Sequence, residues 1–243
     1  MVMAERARVV ALVPAAGGGR RFGGDAPKQY ALLAGRAVLA CTLDRLAAAL
    51  SPLRVVVALA PDDNYYDAVI GTRDSVETLR CGGDTRAATV ANALAALEAR
   101  CAEDDWILVH DAARPCVPVE AVLRLTSELA SDAVGGLLAV PMSDTLKREN
   151  AANPGRVLRT EERTGVWLAQ TPQMFRFGIL RAAFALPGAL ATTDEAQAVE
   201  ALAATGACAQ PRLVAGSAQN IKVTYPSDLA LARAILATQE GST

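Results

Sequence analysis

Short, uninterrupted apolar runs alternate with longer stretches of helical spacing along most of this chain. Val9 to Val13 is the first run, stopped by Pro14. Leu53 to Ala60, Trp106 to His110 and Gly135 to Val140 repeat the pattern. Side chains that are apolar on both faces suit buried parallel strands. Between these runs, Val38 to Leu50, Ala87 to Arg100 and Val119 to Ser131 carry helical spacing, and the first should stop before Ser51-Pro52. A short helix over Asn64 to Ile70 and a short strand over Ser75 to Arg80 fill the gap after the second run. Strand and helix in steady alternation predict an α/β fold, a mostly parallel sheet with helices on both faces.

The rhythm breaks between Pro141 and Pro172. Lys147 to Asn150 is polar, Asn153-Pro154-Gly155 is a turn signal, and Arg156 to Thr160 and Gly165 to Ala169 read as two short strands outside the main sheet. Such a ribbon is marginal alone. It predicts an arm over 141–172 that packs on a second subunit or folds back on its own domain. Beyond it come helices over Phe177 to Leu186 and Thr193 to Ala204, with Asp194 and Glu195 in the latter's first turn. Short strands over Arg212 to Ala215 and Gln219 to Val223 follow, then a closing helix capped by Ser227 and running to Thr238. Without a repeat or linker, residues 1–243 read as one domain.

Polar residues gather where the predicted strands end. Pro14 leads into Ala15-Ala16-Gly17-Gly18-Gly19, with Arg20, Arg21 and Lys28 within one loop's reach. Glycines admit a ligand close to backbone N–H groups, and the cations add positive charge. No Gly-Lys-Ser/Thr follows, and a dinucleotide fingerprint would need its third glycine at Phe22. The glycines alone fit a plain turn as well as a polyphosphate cradle, and the clustered cations favour the cradle. In an open parallel sheet ligands bind at the carboxyl ends of the strands. That rule adds Gly82 to Arg86, Asp111 to Arg114, the region around Ser143-Asp144-Thr145, and Lys222. Each has a plainer reading: Asp111 with Arg114 as a local ion pair, Asp84 as a helix cap. His110, the sole histidine, reads as a structural hydrogen-bonding group. Many cations with few bases suggest phosphoryl or nucleotidyl transfer. An anionic phosphate nucleophile needs no strong base, and the barrier lies in bringing anions together.

Composition narrows the picture. Apolar residues make up 52% and aromatics only 4%, so the core is aliphatic and its helices pack closely. A net charge of −2 offers no whole-protein attraction to nucleic acid or anionic membrane. The charged start of the chain and the lack of a long apolar run predict neither a signal segment nor a membrane span. Five cysteines without a C-x-x-C pair argue against a disulfide framework or zinc site and fit a reducing cytoplasm.

At the level of motifs, Pro14-Ala15-Ala16-Gly17 through Arg20-Arg21-Phe22 and then Pro27-Lys28-Gln29-Tyr30 resembles the opening signature of the 2-C-methyl-D-erythritol 4-phosphate cytidylyltransferases. The match continues through Gly82 to Arg86, Val109 to Pro115, Asp144 to Lys147, Arg163-Thr164-Gly165 with Trp167, and Gln170 to Gln173. Thr193 to Ala196 and Asn220 to Val223 complete it in family order. The resemblance implies a Rossmann-like fold of the nucleotide-diphospho-sugar transferase kind with a protruding β-arm. It implies transfer of CMP from CTP to the phosphate of methylerythritol phosphate with loss of pyrophosphate, in the non-mevalonate isoprenoid pathway. Magnesium dependence and a homodimer built through the arm are implied too, with no specific ligand set for the metal.

Carried over by position, Ala15, Ala16 and Gly17 would line the nucleotide. Gly83, Asp84 and Thr89 would hold the cytosine side, with Ala112 by the ribose and Asp111 bordering both nucleotide and substrate. Arg21 and Lys28 would stabilise charge on the reacting phosphates, and Arg114 would face substrate with Asp111. Thr145 and Arg163 would reach substrate across the dimer. Lys222 would hold the nucleophilic phosphate in line, and Thr171 and Thr193 would complete the pocket. Gly18, Phe22 and Thr89 depart from the family's common residues, and Thr89 keeps the hydroxyl. Ribitol 5-phosphate as acceptor, guanylyl transfer to a molybdopterin, and a regulator without chemistry are the competing readings.

Overall fold

The computed structural model describes residues 7–18, 22, 26–50 and 54–241. In chain order its first half holds β1 (Val9–Pro14), the small pair β2 (Leu32–Leu33) and β3 (Arg36–Ala37), α1 (Val38–Ala49), β4 (Arg54–Ala58), α2 (Tyr66–Val69) and β5 (Val76–Leu79). α3 (Arg86–Leu97), β6 (Trp106–Val109), α4 (Val119–Leu129) and β7 (Gly135–Pro141) follow. The second half holds β8 (Leu146–Glu149), β9 (Val157–Glu161), β10 (Trp167–Arg176), α5 (Phe177–Phe184), α6 (Glu195–Ala204), β11 (Arg212–Ala215) and α7 (Asp228–Glu240).

Among the described residues the main sheet has seven strands in the order β11-β7-β10-β6-β1-β4-β5. All neighbours run parallel except β10, which is antiparallel to both β6 and β7. The apolar runs are continuous because each strand buries both faces. Along β1, Ala11 and Val13 enter one cluster while Val10 and Leu12 enter the other. Trp106 and Leu108 part from Ile107 and Val109 in the same way. α1 and α4 cover the first face through Leu43, Leu46, Val122 and Leu125. α3, α5 and α6 cover the second through Leu94, Leu97, Phe177 and Val199. Each fully buried aliphatic or aromatic side chain contributes roughly 1.5–3 kcal/mol, so these two layers supply most of the drive to fold. A third cluster joins α7, through Ala232 and Leu236, to Leu33, Cys116 and Val223.

Four local expectations are overturned. Gly165 to Ala169 does not pair with Arg156 to Thr160 in a separate ribbon. It belongs to β10, where Trp167 to Ala169 pair with Val140 and its neighbours in β7. The ribbon is instead β8 with β9, an isolated antiparallel pair. Pro172 hid β10, since proline removes a ladder donor. The sheet accommodates it in a register shift between Ala169 and Gln173. Gln219 to Val223 is not a strand; its backbone is held piecemeal, as by Val223 N to Ala113 O at 2.8 Å. Ser227 makes no capping bond, and Asp228 instead accepts from Thr224 N at 2.7 Å and Tyr225 N at 2.8 Å. Asp84 is no cap either: Thr85 is, accepting from Ala88 N at 3.0 Å.

The contact of β7 with β10 depends on a residue without a side chain. Gly135 has φ +126°, and a Cβ there would overlap Met174 O and lie 2.7 Å from Phe175 Cα. Both atoms are backbone of a buried strand and cannot yield. Gly135→Ala is expected to lower the unfolding free energy by about 3 kcal/mol, with urea denaturation as the measurement.

Candidate active site

The loops after β1, β5 and β6 meet at the carboxyl end of the sheet, with residues 222–224 closing one side. They enclose a cleft of about 660 Å³. A cleft of about 600 Å³ also opens at the opposite end, near Arg8, Arg54 and Arg100. It is lined by ion pairs, Arg8 with Asp105 and both Arg54 and Arg100 with Glu77. The loop after β1, Lys28, Asp111 and Lys222 line the first, which is therefore the candidate site.

Each wall of that cleft has its own support. The loop after β1 is held by Ala15 N to Ala58 O at 2.8 Å and by Gln29 Nε2 to Ala15 O at 2.7 Å. Gln29 is buried within a 3₁₀ turn over Lys28–Tyr30, entered through Pro27. Tyr30 anchors the turn by donating to Asp63 Oδ2 at 2.7 Å. Burial and that acidic partner together push the Tyr30 phenol well above its ordinary pKa, so it stays a donor. Lys28 is thereby fixed at the rim, where its Nζ donates to Val223 O at 2.8 Å. The loop after β5 touches the loop after β1: a Cβ on Gly82 would overlap that of Ala16 and come within 2.8 Å of Leu59 O. Thr89 steadies the next residue, accepting from Gly83 N at 3.1 Å and donating to Thr85 O at 3.0 Å. Around Gly17 and Gly18 a Cβ would meet nothing within 4 Å, so the backbone there faces open space.

Asp111, just past β6, is the electrostatic centre. Arg86 Nε donates to its Oδ1 at 2.9 Å, while Lys222 Nζ at 2.8 Å and Arg114 Nε at 3.3 Å share Oδ2. Burial would raise its pKa, but Arg86, Lys222 and Arg114 outweigh that and hold it well below the ordinary carboxylate range. Behind it, Thr171 Oγ1 accepts from Asp111 N at 3.0 Å and meets His110 Nδ1 at 3.1 Å. His110 Nε2 lies 3.1 Å from Arg114 O. The neutral Nε2–H tautomer satisfies both ring contacts, and burial pushes the imidazole down to about 4. His110 is thus a structural hydrogen-bonding group.

The comparisons with known proteins bear on this geometry. Residues 9–238 match the family model IspD, 2-C-methyl-D-erythritol 4-phosphate cytidylyltransferase. The chain belongs to this family. A 2-C-methyl-D-erythritol 4-phosphate cytidylyltransferase of Laribacter hongkongensis is 55% identical over 94% of this chain and 96% of its own length. That of Dechloromonas aromatica is 52% identical over 94% and 97%. A crystal structure of a 4-diphosphocytidyl-2C-methyl-D-erythritol synthase has TM-score 0.82 and 40% identity, covering 96% of this chain and all of that one. The Francisella tularensis cytidylyltransferase gives TM-score 0.77 at 33% identity, over 94% and 100%.

For a cytidylyltransferase of this family, most of the expected residues converge. Ala15, Ala16, Gly17 and Lys28 line the cleft, as do Gly83, Asp84 and Thr89 across from them. Asp111, Ala112 and Lys222 form the remaining wall. Arg20 and Arg21 lie outside the described residues. Three expectations differ. Arg114 does not line the cleft, because its guanidinium turns to Asp111 and to Asn220 O at 2.6 Å. Thr171 is buried under the rim with its hydroxyl engaged as above, and so holds Asp111 rather than facing the cleft. Thr193 sits at the entry to α6, its N donating to Gln197 Oε1 at 2.7 Å, outside the cleft.

Thr145 and Arg163 also lie outside this chain's cleft, in and beside the segment carrying β8 and β9. Arg163 donates to Ser143 O there. Sequence reasoning missed two supports. Asn220 is wholly buried and its amide donates to Thr171 O at 2.7 Å and Gln170 Oε1 at 3.2 Å, tying the irregular part of β10 to the Lys222 segment. Glu195, also wholly buried, accepts from Arg86. The available signal was position: Glu195 and Asn220 both fall inside the motif blocks Thr193 to Ala196 and Asn220 to Val223.

Stability should follow pH in two separate windows. His110 titrates near 6.5 when unfolded and near 4 when folded, so between those values the unfolded chain takes up the proton first. Acidification from pH 6.5 to 4 should therefore cost roughly 3 kcal/mol, and His110→Gln should remove that slope in urea titrations. Asp111, with a depressed folded pKa, contributes stability that is fully present above its unfolded value of 3.8 and is lost as pH falls from there through the folded value.

Proposed function

We infer that this chain transfers CMP from CTP to the phosphate of 2-C-methyl-D-erythritol 4-phosphate. The products are 4-diphosphocytidyl-2-C-methyl-D-erythritol and pyrophosphate, a step of non-mevalonate isoprenoid synthesis. The carrying observation is family membership over residues 9–238, with Ala15 to Gly17, Lys28, Gly83, Asp84, Thr89, Asp111, Ala112 and Lys222 from the family's motif blocks lining one cleft. A phosphate oxygen of the acceptor attacks the α-phosphorus in line, and the bond to the β-phosphate breaks. No proton need be removed from the nucleophile, which suits a cleft whose sole nearby imidazole is buried and neutral.

The chain's own groups supply position and charge. Ala15 to Gly17 and Gly83 offer close backbone approach to the nucleotide, and Lys28, with Arg21, balances charge developing on the leaving pyrophosphate. Lys222, which is paired with Asp111, holds the attacking phosphate. No group of three or more metal-ligating side chains occurs among the described residues, and both oxygens of Asp111 already accept from cations. Among the described residues the side chains alone thus do not make a magnesium site, and a divalent ion would be held mostly by the CTP phosphates, whose charge it would lower.

Association through the arm completes the reading. Val157 and Leu158 on β9 are 62% and 51% exposed, and Leu168 at the start of β10 is 47% exposed, apolar side chains that a second copy would cover. A homodimer of that kind brings Thr145 and Arg163 to the neighbour's cleft. No helix among the described residues is long and apolar enough to cross a membrane. The five cysteines are free, which accords with a reducing cytoplasm.

Pyrophosphate release should be seen with CTP and methylerythritol phosphate, and far less with ribitol 5-phosphate or GTP. Lys28→Ala or Lys222→Ala should each lower kcat by about 10²–10³ while leaving the fold intact by circular dichroism. Near-wild-type turnover in both variants would refute the assigned roles. Mixing an Arg163→Ala chain with a Lys28→Ala chain should restore activity above either parent. Absence of recovery under subunit exchange would count against a shared site.

A further inference from the structure

The buried end of the Asp111 network lies away from the cleft. Arg86 opens α3 and Glu195 opens α6, two helices on the same face of the sheet. Glu195 is wholly buried and accepts from Arg86 Nη1 at 2.6 Å and Nη2 at 3.0 Å. Both terminal nitrogens of the guanidinium are therefore held on one carboxylate, and only Nε remains for Asp111 Oδ1 at 2.9 Å. Burial would lower the Arg86 pKa, but Glu195 and then Asp111 more than reverse this, so the group stays a cation.

That division of donors has a consequence for the rim. An arginine fork prefers to meet a carboxylate through two nitrogens at once. Without Glu195, the whole fork could turn onto Asp111 and claim both of its oxygens. Oδ2 is the atom that receives Lys222 at 2.8 Å and Arg114 at 3.3 Å. Arg114 in turn holds Asn220 O at 2.6 Å, at the base of the segment that carries Lys222.

We propose that Glu195 is a positioning residue for nucleotidyl transfer. By occupying the fork of Arg86, it restricts that arginine to one oxygen of Asp111 and keeps the other for Lys222. The proposal rests on the cytidylyltransferase reading above. It predicts a defect in aligning the attacking phosphate, with nucleotide binding preserved. The walls that carry Ala15 to Gly17 and Gly83 are held by hydrogen bonds in which Glu195 takes no part.

The test is steady-state kinetics of pyrophosphate release with CTP and methylerythritol phosphate, beginning with the wild-type chain. No turnover by the wild type would overturn the functional reading itself. Given wild-type activity, Glu195→Gln should lower kcat by about 10²-fold, the scale of a 1 Å misplacement, with the KM for CTP within about threefold. In an Arg86→Met background the same substitution should have no further effect on kcat, because the two act as one unit. Three results would overturn the proposal: kcat within about threefold of wild type, a matching rise in the KM for CTP that marks general loosening, or an undiminished effect in the Arg86→Met background. Should Glu195→Gln fail to fold, Glu195→Asp keeps the charge and shifts it by one methylene. A tenfold fall in kcat with KM for CTP held then supports the proposal, and unchanged kcat overturns it.

Discussion

A single buried carboxylate, Asp111, receives three cations from three different parts of the chain: Arg86 from α3, Arg114 from its own loop and Lys222 from beyond β11. In a low-dielectric setting any one of these groups left unpaired would be strongly unfavourable. The charges therefore lock the loops at the end of the sheet into one arrangement. In the proposed reading the network would present an incoming phosphate with cations already oriented, leaving little reorganisation for the reaction step. Lys222 links the two conditions. It pairs with Asp111 and lines the cleft, where the proposed reading has it meet the anionic acceptor.

Support for that network comes from an irregularity in an otherwise regular sheet. β10 runs antiparallel between β6 and β7, and its register shifts around Thr171 and Pro172. The shift places the Thr171 hydroxyl on Asp111 N and the Thr171 carbonyl on the Asn220 amide. Asn220 Oδ1 is buried without a partner, an unfavourable feature in a core. Its amide nitrogen nevertheless makes the bond that joins β10 to the Lys222 segment. A local stability cost thus coincides with the connection that shapes the site, as is common where backbone and side chains are held for chemistry.

The layered core explains why the rim can carry so much charge. β1, β4 and β6 bury both faces beneath helices, so the strand ends are rigid and the loops above them need contribute little to folding. The arm is the opposite case. β8 and β9 pair only with each other and bury almost nothing within the chain. In the proposed reading these strands are where association between copies would bury surface.

The sequence by itself determined the alternating elements, the mostly parallel sheet and the set of motif residues gathered at its carboxyl end. Those features are local: apolar periodicity follows from which faces are buried, and glycines or cations near strand ends follow from the chemistry of binding phosphate. It also identified His110 as structural and named most of the cleft-lining residues, Ala15 to Gly17, Lys28, Gly83, Asp111 and Lys222. Only the tertiary structure decided that β10 enters the main sheet despite Pro172, that β9 pairs with β8, and that 219–223 is no strand. It decided for Arg114 in favour of the local ion pair with Asp111, turned Thr171 from the cleft toward Asp111, and brought Glu195 onto Arg86 across 109 positions of sequence. These outcomes depend on which distant groups satisfy one another once water is excluded, and neither periodicity nor motif spacing carries that information.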